Sequence, residues 1–305
     1  MRVLILGAGG VGGYLGYRLA RLGGAQVSLV ARGTHLEAIR EHGLRVIDDG
    51  EEATIRPEHA IADPSGLGAF DLILVTVKHT DLASSLELIR ENITPNTLIL
   101  PLLNGVEHRR EILEVYPDAD VMEGCIYILS NIVEPGTIRK KGAIFNLCWG
   151  REDFDPTDYP RITALFNRAL PRHKPTADIA PEQWRKYLFI SPMAALTSLY
   201  DKTMDRIVAE HSEELKGLMN EITALARAKG IPLNDETVEE TFERMGKTLP
   251  GAKTSMQLDL ERGKPAEIEA LVGYVVKDGK RMGVDVSGME RVYRELKIRS
   301  TTIDK

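Results

Sequence analysis

The run Arg2-Val3-Leu4-Ile5-Leu6 passes directly into Gly7-Ala8-Gly9-Gly10-Val11-Gly12-Gly13, and a helical pattern then covers Val11 to Leu22. Glycines in this position let the chain turn sharply from a strand into a helix where side chains would obstruct it. In the spacing G-x-G-x-x-G, Gly7 permits the turn, Gly9 lets an anion approach the backbone, and Gly12 lets the helix lie close to the sheet. The start of the helix offers unbonded N–H groups to that anion. The segment Gly7, Ala8, Gly9, Gly10, Val11 and Gly12 is therefore expected to hold the pyrophosphate of a dinucleotide. A strand-to-helix turn without a ligand is the plainer alternative.

The rest of the first half fits this reading. Gln26 to Val30 reads as a second strand, and Leu72 to Val77 and Thr97 to Leu103 are almost continuously apolar, as strands buried on both faces must be. Val121 to Leu129, Gly136 to Lys141 and Ala143 to Trp149 surround Pro135-Gly136 and suggest an antiparallel extension. From Pro181 onward strand signals cease, and helical patterns cover Pro181–Tyr200, His211–Lys229, Asp235–Lys247, Thr254–Arg262, Glu267–Met282 and Ser287–Thr301. The expected fold is α/β: an N-terminal Rossmann-type parallel sheet with an antiparallel extension over residues 1–175, and an all-α C-terminal domain over 176–305. A length of 305 residues suits two such cores.

Composition narrows the partners. With 39 Lys and Arg against 45 Asp and Glu, no overall basic field exists to hold nucleic acid or an anionic membrane. The first residues lack the basic flank and apolar stretch of a signal peptide, so a cytoplasmic location is expected. Cys125 and Cys148 are too few for a disulfide framework and are expected to be reduced; the seven His show no metal-ligand spacing, so no metal is expected. The assembly is not written in the surface pattern, and a homodimer is one compatible form.

After the second strand, chains that bind NAD usually place an acid against the ribose 2′-hydroxyl. Here the strand ends Leu29-Val30-Ala31-Arg32. The planar guanidinium of Arg32 suits a 2′-phosphate, which favours NADP, though Arg32 could equally face solvent at a strand end. His35 reads as a surface residue.

With the glycine loop and Arg32, the segments Val75-Thr76-Val77-Lys78, Leu102-Leu103-Asn104-Gly105, Trp184-Arg185-Lys186, Ser255-Met256-Gln257 and Glu267-Ile268-Glu269 resemble, in order and spacing, the ketopantoate reductase family. The likeness covers nearly the whole chain. It implies NADPH-dependent reduction of a small 2-oxo acid, 2-dehydropantoate, to pantoate for pantothenate synthesis. It further implies that Lys186 is the general acid, that Asn104 contacts both nicotinamide and substrate, that Lys78 touches cofactor, and that Ser255 and Glu267 contact the substrate. Taken alone, these residues have plainer readings: a solvent-facing lysine on a helix for Lys186, a turn for Asn104-Gly105, a loop cation for Lys78, and helix-start residues for Ser255 and Glu267. A lysine titrating near 10.4 is a sluggish acid at neutral pH, so burial is expected to lower Lys186.

The chain departs from the family at two positions. Four and eight residues after the lysine, on the same helix face, the family carries Asn; this chain has Ile190 and Ala194. Two polar contacts are thereby missing, for which Ser191, Thr197 or Ser198 are candidate substitutes, and Pro192 between them is expected to kink the helix. The alternatives are a reductase of another branched or apolar 2-oxo acid, or a non-catalytic NADPH sensor.

Overall fold

The computed structural model describes residues 1–303, and the chain divides into two compact units. One comprises Met1–Leu103 and Glu107–Ile179; the other takes Asn104–Val106 together with the chain from Ala180 onward.

In chain order the first unit contains β1 (Arg2–Leu6), α1 (Gly10–Arg21), β2 (Gln26–Val30), α2 (Gly33–His42), β3 (Leu44–Asp48), β4 (Glu51–Ile55), β5 (His59–Ile61) and β6 (Leu72–Val75). It continues with α3 (Leu82–Leu88), β7 (Leu98–Pro101), α4 (His108–Val115), β8 (Asp120–Val121), β9 (Glu123–Glu134), β10 (Thr137–Gly150), α5 (Pro160–Ala169) and β11 (His173–Pro175). Six strands pair in parallel in the order β5-β2-β1-β6-β7-β8. Chain order reverses between β1 and β6, and it is at the carboxyl ends of strands at such a reversal that open α/β sheets bind their ligands. Val3–Leu6 and Leu72–Val75 are fully buried, which explains their unbroken apolar runs.

The expected antiparallel extension is a separate mixed sheet. β9 and β10 form a long hairpin around Pro135-Gly136, β10 continues in parallel to β3 and β11, and β4 closes the edge against β3. The two short runs expected at 136–141 and 143–149 are one strand, irregular in register between Lys140 and Phe145. Cys125 and Cys148 stand opposite each other in the register of this hairpin, both buried. Trp149 and Phe166, both fully buried, join the core that also holds Tyr14 and Leu15 of α1.

The second unit is helical: α6 (Ile179–Tyr200), α7 (Met204–Glu210), α8 (Ser212–Ala228), α9 (Asp235–Met245), α10 (Ser255–Glu261), α11 (Tyr274–Met282) and α12 (Ser287–Ile303). Helix α7 is an addition to the expected set. Helix α6 runs through Pro192 without a break in its assignment, and its second half is buried on nearly every side. A wide π turn, Glu269–Gly273, leads into α11. Carbonyls of this turn accept from α6: the Tyr187 hydroxyl donates to Ala270 O at 2.9 Å and Leu271 O at 3.0 Å, and Ser191 Oγ donates to Leu271 O at 2.5 Å. No helix among the described residues is long and apolar enough to cross a membrane.

These buried bonds fasten α6 to the segment just after Glu267. Tyr187→Phe removes a buried donor from Ala270 O and leaves Leu271 O to Ser191 alone, and is expected to cost about 1–3 kcal/mol, read as a lower urea midpoint for the helical unit. A midpoint equal to wild type would show that these bonds do not bind α6 to the turn.

Candidate active site

The glycine loop is shaped by backbone contact. Gly7 adopts φ +104°, a region side chains resist, and its carbonyl accepts from Thr76 Oγ1 at 2.8 Å in the loop after β6. At Gly12 a Cβ would lie 2.2 Å from Gly7 O and 2.3 Å from Thr76 Oγ1, so α1 can approach the strand ends only without a side chain there. At Gly9, by contrast, an added Cβ meets nothing within 4 Å. The space over Gly9 lies open beside the N-terminus of α1, which carries no side-chain cap and no acid in its first turn, the features an anion site at a helix start requires. Ala8, Gly10 and Val11 complete this loop.

His35 holds the loop from the other side. The Gly136 N–H donates to its Nδ1 at 2.9 Å, which leaves the proton on Nε2 to be donated to Ala8 O at 2.9 Å. The imidazole is thus a neutral bridge from the hairpin turn to the phosphate loop, and burial pushes its pKa below the usual value against the pull of the Ala8 carbonyl. The reading of His35 as a mere surface residue is corrected. Its role was invisible in sequence because Gly136 is distant along the chain.

Arg32, two residues after β2 and immediately before α2, pairs with Asp81 at 2.8 Å, both side chains being substantially exposed. Lys78 is exposed at the end of the loop after β6, where it begins the short 3-10 turn His79–Asp81. Both therefore stand near the carboxyl edge of the parallel sheet.

In the helical unit three residues drawn from distant points of the chain are linked. Lys186 Nζ, half-buried on α6, donates to Asn104 Oδ1 at 3.2 Å; Asn104 Nδ2 donates to Glu267 Oε2, also at 3.2 Å. Glu267 is 6% exposed, so its carboxylate is held by named partners and not by bulk water. Lysine and glutamate together orient the amide of Asn104, with the oxygen toward the cation and the nitrogen toward the anion.

Ser255 is not part of this chain of bonds as observed. It stands exposed in the first turn of α10, where Thr254 provides the cap to Gln257 N–H. The substitutes considered for the absent asparagines are otherwise engaged: Ser191 binds Leu271 O, and Thr197 Oγ1 lies 2.8 Å from both Met193 O and Thr254 Oγ1. Ser198 Oγ is buried without a partner. Ile190 and Ala194 pack in the apolar core of the unit.

A model described as "Ketopantoate reductase PanE/ApbA" matches residues 3–151, and its C-terminal counterpart matches 178–300. The chain belongs to the ketopantoate reductase family. Its members are NAD(P)-dependent oxidoreductases, and this chain is one in class. Among similar proteins, a 2-dehydropantoate 2-reductase of Mesorhizobium japonicum is 32% identical with 92% of each chain covered. An uncharacterized oxidoreductase of Bacillus subtilis is 28% identical with 98% of each covered. The crystal structure of a family ketopantoate reductase from Ralstonia eutropha covers both chains fully, with a TM-score of 0.91 and 28% identity.

The bridge made by His35 in this ketopantoate reductase family member has a pH signature. A histidine whose folded pKa is depressed binds fewer protons than its unfolded counterpart. Its stabilising contribution is therefore present above about pH 6.5 and lost as pH falls toward the folded value. His35→Ala is expected to flatten the loss of stability below about pH 6.5, read as urea midpoints against pH. A wild-type slope unchanged by the substitution would remove the neutral-bridge assignment.

Proposed function

We propose that this protein reduces 2-dehydropantoate to pantoate with NADPH, in the supply of pantothenate and thus of coenzyme A. The chain Lys186–Asn104–Glu267 carries the reading. Reducing a 2-oxo acid requires a hydride at C2, a proton at the carbonyl oxygen, and fixed contacts to hold the substrate. Bound NADPH supplies the hydride.

The remaining work falls to the protein. Lys186 donates a proton from Nζ to the carbonyl oxygen as C2 receives the hydride, so that the carbonyl becomes a hydroxyl and the lysine a neutral amine that recovers its proton from solvent. Before transfer, its positive charge stabilises the oxygen as negative charge develops there. Asn104 holds the ammonium in one direction, and Glu267 holds Asn104 while offering its carboxylate to a substrate hydroxyl. In this reading Ser255 contacts the substrate carboxylate, the loop Gly7–Gly12 and Lys78 hold the dinucleotide, and Asn104 also touches the nicotinamide.

Arg32 is assigned to the 2′-phosphate. Asp81 already neutralises it, and that carboxylate would repel the same phosphate until Arg32 turns from one anion to the other. Arg32→Ala is expected to lower the ratio of kcat/KM for NADPH over NADH by about tenfold or more, as loss of a charged hydrogen bond should. Asp81→Asn is expected to raise it.

A second reading is favoured by Ile190 and Ala194, which make the helix face beyond Lys186 apolar where the family carries Asn. On this reading the substrate is a different branched or apolar 2-oxo acid. Steady-state assays across a panel of 2-oxo acids separate the two: an acid turned over about a hundredfold more efficiently than 2-dehydropantoate displaces the first reading. In either case Lys186→Ala is expected to lower kcat by about 10²-fold or more while sparing cofactor affinity. Tight NADPH binding by a wild-type protein that turns over none of the acids would instead favour a sensor.

A further inference from the structure

The absence of any metal-ligand pattern in the linear sequence does not survive folding. His79, in the turn after β6, and His108 and Glu111, on the first turn of α4 after β7, converge in the first unit. His79 Nε2 lies 2.8 Å from Glu111 Oε1, and His108 Nδ1 lies 3.0 Å from Glu111 Oε2. One donor atom from each of the three side chains can be chosen so that all lie within 4.8 Å of one another. The two rings stand 5.6 Å apart and are tilted by 43°, open toward the shared carboxylate and not stacked.

Burial favours the neutral acid at Glu111, yet the bonds from His108 and His79 outweigh it and hold the carboxyl well below the usual carboxylate range. Two imidazoles bridged by one carboxylate could be only a structural hydrogen-bond network. The donor types and their spacing go further. A tetrahedral ion with bonds of about 2.0–2.1 Å to nitrogen and oxygen separates its ligands by about 3.3 Å; the two histidine–carboxylate distances fall a few tenths of an ångström short of this, and the remaining separations lie within 4.8 Å. Binding an ion would require the Glu111 carboxylate to turn and the two imidazoles to settle around a shared point. His108 is nearly buried, and His79 and Glu111 are partly exposed, so the ligands are pre-ordered and still reachable from solvent.

We propose that His79, His108 and Glu111 form a binding site for a divalent transition-metal cation, zinc above all, with water completing the coordination. Two imidazole nitrogens and a single carboxylate suit zinc or cobalt and disfavour magnesium and calcium, which require mainly oxygen ligands. The ion would tie the loop that follows Lys78 to α4. The proposal is independent of the reductase reading and stands on these three side chains.

Calorimetric titration of the full-length protein with zinc chloride, in chelator-washed buffer, tests it. One zinc per chain is expected, with no comparable heat from magnesium chloride. Glu111→Gln and His79→Gln are each expected to weaken binding by more than the roughly 10- to 100-fold that loss of a merely orienting partner costs. Absence of stoichiometric binding, or binding that survives either substitution undiminished, overturns the proposal; the latter marks an adventitious ion held elsewhere. Cobalt(II) added to the wild-type protein gives a check that involves no variant. Intense d–d absorption from a low-coordinate ion is expected, and the weak spectrum of the hydrated ion would equally overturn the site.

Discussion

The contact on which the first unit depends is one that admits no side chain. Helix α1 reaches the strand ends because Gly12 brings its backbone against Gly7 O and Thr76 Oγ1, where even a methyl group would overlap both. That approach sets the direction of α1 and hence the direction in which its N-terminal N–H groups point. Thr76 and His35 then fix the loop from two sides, through Gly7 O and Ala8 O. Over Gly9 a side chain would meet nothing within 4 Å, so the backbone there is open to approach.

In the helical unit the corresponding constraint is a wide turn. The carbonyls of Ala270 and Leu271, in the π turn, accept from Tyr187 and Ser191 on α6. Tyr187 follows Lys186 directly, and Glu267 lies two residues before the turn. Buried, neutral hydrogen bonds thus place the charged pair, while Asn104 spans it. The helix that carries the lysine packs through its second half, where Ala194 belongs to the core and Ile190, partly buried, lies against it.

Much of this was legible in the sequence where one signal determined one element. The strands at Arg2–Leu6 and Gln26–Val30 and the helix between them follow from apolar runs and glycine spacing, and the long helices of the second unit follow from their periodicity. The mixed sheet was harder to read. β4, Glu51–Ile55, is a polar edge strand with little apolar pattern, and β10 reads as two pieces because its register slips near Gly142. The roles of Asn104, Lys186 and Glu267 are implied only by a resemblance, and their hydrogen-bonded link emerges only in the fold, since no local pattern joins residues so far apart. The His79–His108–Glu111 cluster left only a trace, the i, i+3 spacing of its last two members, because its third arrives from another loop.

The excursion Asn104–Val106 bears on modularity. These three residues follow the strand end of the first unit yet are counted with the second, and Asn104 bonds to two of its side chains. A fragment cut at the apparent border near Ala180 would keep Lys186 and Glu267 but lose the amide that joins them. The halves are therefore not interchangeable cassettes: grafting this helical portion onto a foreign nucleotide-binding half would require transplanting a tripeptide from the middle of the other portion as well.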